Sequence, residues 1–149
     1  MNSTKIDKYY LNLTGEYRVC SELLKRGVFA TITYGNKKGA DIYAVGANRR
    51  AAVIEVKASN SSRFVTRFYQ KYKTPRQEHP TFWVLYSVVE KDGDFIERFF
   101  VLTHREMAKT QAQRNGGRPY DKKYLKKWRD KGVDNVTIEN VDKHESRWD

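Results

Sequence analysis

An almost uninterrupted apolar run at Ala51–Lys57 (AAVIEVK) constrains the fold more than any other feature of the sequence. A strand with apolar residues on both faces is typical of a position inside a sheet, not at its edge. β-Branched and aromatic residues predict two strands before it, Val28–Tyr34 and Ala40–Val45, and two after it, Thr81–Val89 and Phe95–Leu102. The chain therefore needs helices or further strands to cover this sheet.

Helical periodicity supplies those covering elements. Thr4–Arg26 repeats apolar residues at helical spacing, with Thr4 and Asp7 placed as a capping box and Gly15 as a point where the helix could break. The predicted apolar stripe consists of Ile6, Tyr10, Leu13, Tyr17, Cys20 and Leu24. Further helices are predicted at Phe64–Tyr72 (or an extended basic loop), at His104–Gln113 after a Thr103 cap, and at Asp121–Lys131. The order predicts one α/β domain over residues 1–149, with a mixed sheet covered on at least one face.

Composition points to a polyanionic partner. The 149 residues carry 29 Lys and Arg against 18 Asp and Glu, a formal net charge of +11. A domain this basic usually binds nucleic acid, although a merely soluble basic surface is the alternative. The single cysteine excludes an intrachain disulfide and a thiolate zinc cage. No secretory leader or membrane-spanning run is apparent, so we expect a cytoplasmic protein with no membrane contact.

Two acidic residues and a lysine on neighbouring predicted strands carry the chemistry. Glu55 and Lys57 are two residues apart in one strand and therefore share a face, and a short hairpin brings Asp41 beside Glu55. Adjacent carboxylates are compatible with a hard divalent cation, Mg²⁺ or Mn²⁺, to which the carbonyl of Val56 would be a further ligand. Such an ion polarises a phosphodiester, and Lys57 would orient the attacking water or stabilise developing charge.

This pattern, Asp41 followed by Glu55-Val56-Lys57, resembles the core motif of the PD-(D/E)XK nuclease superfamily, although Ala40 stands where the motif has proline. The resemblance implies a restriction-endonuclease-like αβββαβ core. Many members carry a glutamate on the first helix that reaches the metal. At about 100° per residue, Glu16 falls on the apolar side and Glu22 toward water, so Glu16 is the expected one.

The first-helix sequence GEYRVCSELLKRG is similar to archaeal Holliday-junction resolvases, and the likeness covers roughly residues 13 to 60. A resolvase acts on branched DNA through two sites related by two-fold symmetry, so this likeness makes a homodimer possible. The resemblance also implies a polar residue on the following helix, for which Gln70 is the candidate.

Each of these residues has a purely structural alternative. Asp41 could cap the turn that follows Gly39. Glu55 and Lys57 could form an ion pair on a solvated strand face, and Glu16 could be exposed at a helix break beside Gly15.

Basic and aromatic residues alternate after Lys57. The basic ones suit contact with DNA phosphates. The aromatic ones, Phe64, Phe68, Tyr69 and Tyr72, suit base stacking, the protein core, or both together. The basic run Lys122–Arg129 suits either phosphate contact or a solvated helix face. The three histidines are scattered and indicate no zinc site or triad. The predicted nucleic-acid-binding residues are Lys37, Lys38, Arg63, Arg67, Lys71, Lys73 and Arg76.

The sequence thus predicts a Mg²⁺-dependent endonuclease acting on DNA, of the resolvase, repair, restriction or mobile-element kind. The first alternative is a non-catalytic nucleic-acid-binding module on the same fold. The second is a protein that recognises another protein through its aromatic surface, against which the positive charge argues.

Overall fold

The computed structural model describes residues 6–33, 40–130 and 134–149, except for the side chains of residues 129 and 130. The helices are α1 (Lys8–Lys25), α2 (Phe68–Lys71), α3 (His104–Arg114), α4 (Lys122–Asp130) and α5 (Ile138–Val141), followed by a 3₁₀ turn at Asp142–His144. The strands are β1 (Phe29–Ile32), β2 (Ile42–Val45), β3 (Ala51–Ser59), β4 (Arg63–Val65), β5 (Phe82–Lys91), β6 (Asp94–Thr103) and β7 (Asn135–Thr137).

A mixed sheet forms the centre of the described structure, with strand order β1-β2-β3-β5-β6. β3 and β5 run parallel, whereas the other neighbours pair antiparallel. The predicted mixed α/β class is therefore confirmed. The predicted order of helix, three strands, helix and strand is also observed, with one addition. β4 pairs with β7 far along the chain, a contact that the polar segment after Ser59 does not reveal.

The two faces of the sheet are covered by different elements. Ile54 and Val56 of β3 pack toward α1, in one apolar cluster. Trp83 and Leu85 of β5 lie in a second cluster, built mainly from α2, α3 and the β4–β7 pair. In the parallel register Glu55 lies beside Trp83 and Lys57 beside Leu85, so the predicted Glu55–Lys57 face points into this second layer.

The first helix is shorter than predicted, and a different face of it is buried. Asp7 is its N-cap and accepts a hydrogen bond from the Tyr9 amide at 2.8 Å. The predicted capping box also involves Thr4, which lies outside the described residues. The buried residues are Leu11, Gly15, Val19 and Glu22. Most of the predicted stripe is exposed instead: Ile6, Tyr10, Tyr17 and Leu24.

Gly15 explains this choice of face. It does not break the helix, which is continuous over Lys8–Lys25. A Cβ at this position would lie 3.0 Å from the Ala58 Cβ and 3.3 Å from the Tyr86 ring. The absence of a side chain lets α1 lie directly on β3 and β5. The helix therefore buries the face that contains Gly15 instead of the face that contains its tyrosines.

The element after β6 is predicted well. Thr103 caps α3 with a reciprocal capping box, since its hydroxyl accepts from the Glu106 amide at 3.1 Å and its own amide donates to the Glu106 carboxylate at 2.8 Å. Within the described ranges, no helix is both long enough and apolar enough to cross a membrane.

Candidate active site

The carboxylate of Asp41 lies where β2 begins, against the middle of β3. The Asp41 amide donates to the Ile54 carbonyl at 2.9 Å, and its side chain accepts from the Val56 amide at 2.8 Å. The side chain thus takes the place of a backbone acceptor just beyond the β2–β3 ladder. In an antiparallel pair, the amide and carbonyl of one residue face the same neighbour, so the Val56 carbonyl points toward the Asp41 side of β3.

Glu55 is the most enclosed charged group in this region, with 2% of its surface exposed. Its Oε1 accepts from Lys57 Nζ at 3.1 Å and from Lys71 Nζ at 2.5 Å, and its Oε2 accepts from the Tyr72 hydroxyl at 2.9 Å. Burial alone would raise the pKa of Glu55, but the two ammonium groups and the hydroxyl outweigh it and hold the pKa below its ordinary value. Glu55 is therefore ionised at neutral pH.

Glu16 extends the acidic group from the helix side of the sheet. Burial, together with repulsion from the Asp41 carboxylate, raises the pKa of Glu16 from 4.5 to about 7. Burial likewise raises the pKa of Asp41; the Val56 amide opposes this rise and Glu55 adds to it. Asp41 is thus linked electrostatically both to Glu16 and to Glu55.

Lys57 supplies a positive charge on the same face of β3 as Glu55. Its side chain is 22% exposed, and burial lowers its pKa, with Glu55 opposing the effect and Lys71 reinforcing it. The structure therefore brings together Asp41, Glu55 and Lys57, whose grouping the sequence predicts. Their catalytic roles remain predictions.

The donor set suits a hard divalent cation. Within the described ranges, no group of three or more His, Cys, Asp or Glu side chains is close enough to hold a metal ion. The possible metal ligands at this site are the carboxylates of Asp41 and Glu55 and the carbonyl oxygen of Val56. Mg²⁺ is commonly bound by one or two carboxylates, with waters and substrate phosphate completing its shell, and these donors fit that pattern.

No family model matches this chain, and no curated protein matches it. Among solved structures, it is similar to one described as "The structure of a bacterial homing endonuclease: I-Ssp6803I", with a TM-score of 0.44 and 16% sequence identity. The match covers 65% of this chain and 65% of that one, so the chain spans less than two thirds of its neighbour. A similarity this low does not bear on the activity of this chain.

The predicted nucleic-acid-binding residues divide into two groups. Arg63, Arg67, Lys73 and Arg76 are exposed and available to a phosphate backbone. Lys71 is not: its side chain is 20% exposed and turned inward onto Glu55. The buried carboxylate attracts the ammonium, so the contact of Lys71 with phosphate stays a prediction. Lys37 and Lys38 lie outside the described residues.

The aromatic residues that alternate with these cations belong to the core. Phe64, Phe68, Tyr69 and Tyr72 are each at most 2% exposed, so of the two interpretations the core is correct and base stacking is wrong. Phe64 lies in β4, and helix α2 is accordingly shorter than the predicted Phe64–Tyr72. Lys122, Lys123, Lys126 and Lys127 are exposed on α4, while Leu125 and Trp128 contact the core.

Gln70 is half-buried on α2, next to Lys71 in the chain. Its contribution to the site stays a prediction.

Tyr72 is the site residue that sequence reasoning missed. Its hydroxyl donates to Glu55, although the sequence marks it only as an aromatic of uncertain role. Neither Tyr72 nor Lys71 has a local sequence signal toward Glu55, because the contacts span 17 and 16 residues. Only the return of the chain through α2 places them there.

One further expectation is wrong. Glu22 was expected to face water, but it is 7% exposed and is paired with Arg18, Lys25 and Arg26. This follows from the change in the buried face of α1.

Two of the histidines that are scattered in the sequence meet in the fold, where the rings of His79 and His104 stack at 3.8 Å. His104 Nδ1 accepts from Trp83 Nε1 at 3.1 Å, and burial, then His79, lowers the His104 pKa to about 4. These contacts give His104 a core position.

Proposed function

We propose that this chain is a metal-dependent nuclease of the PD-(D/E)XK type that hydrolyses phosphodiester bonds of DNA. The observation that carries the proposal is the 2.8 Å hydrogen bond between the Val56 amide and the Asp41 carboxylate. It holds Asp41 against the strand from which Glu55 and Lys57 project. A turn-capping role for Asp41 does not require this contact across strands.

In this proposal Asp41, Glu55 and the Val56 carbonyl hold Mg²⁺ or Mn²⁺. The ion, when bound, polarises the phosphodiester and lowers the pKa of a coordinated water. Lys57, fixed by its strand 3.1 Å from Glu55, orients the attacking water or donates to the phosphate oxygens as their charge grows.

Glu16 is the proposed proton acceptor, acting through water. A carboxyl group with a pKa of about 7 changes protonation near neutral pH, which suits a general base. The repulsion from Asp41 that helps to raise its pKa supports a position near the proposed metal ligands.

DNA is the proposed polyanion. The formal net charge of +11 and the exposed cations Arg63, Arg67, Lys73 and Arg76 provide sequence-independent phosphate contacts. The resemblance to resolvases makes a four-way junction one substrate to test, alongside duplex and single-stranded DNA.

The decisive experiment measures cleavage of supercoiled plasmid, branched DNA and single strands with Mg²⁺, with Mn²⁺ and with EDTA. Asp41→Asn, Glu55→Gln and Lys57→Met should each lower the cleavage rate by at least about 100-fold, because each removes a ligand or the charge that acts in the transition state. Glu90→Gln, at an exposed glutamate near the end of β5, is the control and should cleave normally. Binding of DNA in Ca²⁺ should survive in all four variants. Undiminished cleavage by the three site variants would refute the proposal.

One observation favours the alternative of a non-catalytic nucleic-acid-binding module. Glu55 already accepts from Lys57, Lys71 and Tyr72, as a purely structural ion cluster would. A binding module would show no cleavage under any metal condition, while its affinity for DNA would still fall steeply with salt. Metal-dependent cleavage that requires Asp41 excludes it.

A further inference from the structure

We propose that Lys71 is a built-in counter-ion of Glu55 that a divalent cation displaces, and that the released ammonium then contacts the phosphate of the bound nucleic acid. This inference rests on the metal site of the proposed function and assigns Lys71 a second position.

Lys71 is held inward by charge. Its Nζ lies 2.5 Å from Glu55 Oε1, and its side chain is 20% exposed, whereas Arg67 and Lys73 on either side of α2 are exposed. A lysine ammonium is compact and strongly hydrated, so drawing it from water requires a charged partner. Glu55 is that partner, and anything that neutralises the charge of Glu55 removes the attraction that holds Lys71 in this buried position.

Glu55 has limited capacity for further partners. An ionised carboxylate offers about two lone-pair directions at each oxygen. At Oε1 these are taken by Lys57 and Lys71, and at Oε2 one is taken by Tyr72. An ion that coordinates Oε1 therefore has to replace an ammonium group.

Lys71 is the ammonium that can leave. Lys57 belongs to the central strand β3, two residues from Glu55 on the same face, so the backbone keeps it close. Lys71 ends the four-residue helix α2, and exposed residues such as Lys73 follow it, so its flexible stem can turn to solvent without moving the sheet.

The exchange fits the chemistry of a phosphodiesterase site. Before the ion binds, Lys71 neutralises a carboxylate that is 2% exposed and would otherwise be costly to bury. After the ion binds, Lys71 is a free cation beside the position of the phosphate. In that state Lys71 would make the phosphate contact that the sequence predicts.

The test measures Mn²⁺ affinity by calorimetry without DNA. Lys71→Met should bind Mn²⁺ about tenfold more tightly than the unaltered protein, a difference of about 1.4 kcal/mol, because no ammonium has to be displaced. Lys73→Met is the matched control: it removes the same charge from an exposed position, where salt screens the effect, and should change the affinity less than about twofold. Asp41→Asn should abolish binding and so identifies the site.

The outcomes separate the two proposals. Mn²⁺ binding that needs Asp41 but is equally tight in Lys71→Met and the unaltered protein overturns displacement and leaves the metal site standing. No Mn²⁺ binding in any protein, Lys71→Met included, overturns both.

A second measurement needs no variant at Lys71. Acetylation by a water-soluble acylating reagent, followed by mass spectrometry, reports how accessible each lysine is. Saturating Mn²⁺ should raise the acetylation of Lys71 several-fold relative to Lys73 in the same sample. An unchanged ratio overturns the displacement of Lys71 whether or not Lys71→Met folds.

Discussion

Replacing Glu16 by glutamine should stabilise the protein above neutral pH and have little effect near pH 4.5. The Glu16 pKa is raised from 4.5 to about 7 by burial and by Asp41. Between these values the folded state holds a proton that the unfolded chain has released, so the stability falls as pH rises. A permanently neutral glutamine does not suffer this loss.

The magnitude follows from the pKa difference. Each pKa unit is worth about 1.36 kcal/mol, so the rise from 4.5 to about 7 sets an upper limit of about 3.4 kcal/mol. Glu16 is only half-buried, and solvent screening reduces the expected gain for Glu16→Gln to about 1–2 kcal/mol at pH 8.

The assay is urea unfolding of both proteins in EDTA, from pH 4.5 to pH 8. The unfolding free energy of Glu16→Gln should exceed that of the unaltered protein by an amount that grows as pH rises and becomes constant above about pH 7.

Glu22 on the same helix is the control with the opposite sign. Arg26 holds the pKa of Glu22 below its ordinary value despite burial. Glu22→Gln should therefore lower the unfolding free energy most at pH 8, and this loss of stability should disappear as pH falls below about 4.5. If the unfolding free energies of Glu16→Gln and the unaltered protein differ by the same amount at every pH, Glu16 is not a buried group with a raised pKa beside Asp41.

Three further predictions concern the scaffold around the site. Gly15→Leu should destabilise the protein by about 2–3 kcal/mol in urea, because α1 lies directly on β3; equal stability would mean that the helix does not sit so close. Asp134→Ala should cost about 2–3 kcal/mol, because its buried carboxylate accepts from the Tyr69 amide at 2.5 Å at the start of α2; a loss within error would mean that this contact is dispensable. The His104 ring should stay neutral down to about pH 4 in an NMR titration, and the stability that it contributes should be lost as pH falls toward that value; a midpoint near 6.5 would contradict its burial.

Much of the fold was predictable because strand signals are local. β-Branched and aromatic runs identified β1, β2, β3, β5 and β6 to within a few residues at each end. The strand β4 was missed because its stability comes from pairing with β7, more than 60 residues away, and not from its own polar surroundings.

The orientation of α1 was not predictable from periodicity alone. The spacing of the tyrosines and leucines predicts one buried stripe, but the helix packs on the sheet with another face, which contains Gly15. A hydrophobic stripe measures which residues favour burial, whereas close packing also requires that the helix fit the surface beneath it.

The sequence by itself determined that Glu55 and Lys57 share one face of β3, because side chains two apart in a strand always do. It also determined the positive charge of +11. Only the tertiary structure decided that Asp41 accepts from the Val56 amide and that Lys71 and Tyr72 converge on Glu55. These contacts join residues 15 to 17 positions apart, and their geometry depends on how strands and a short helix pack, which no local pattern encodes.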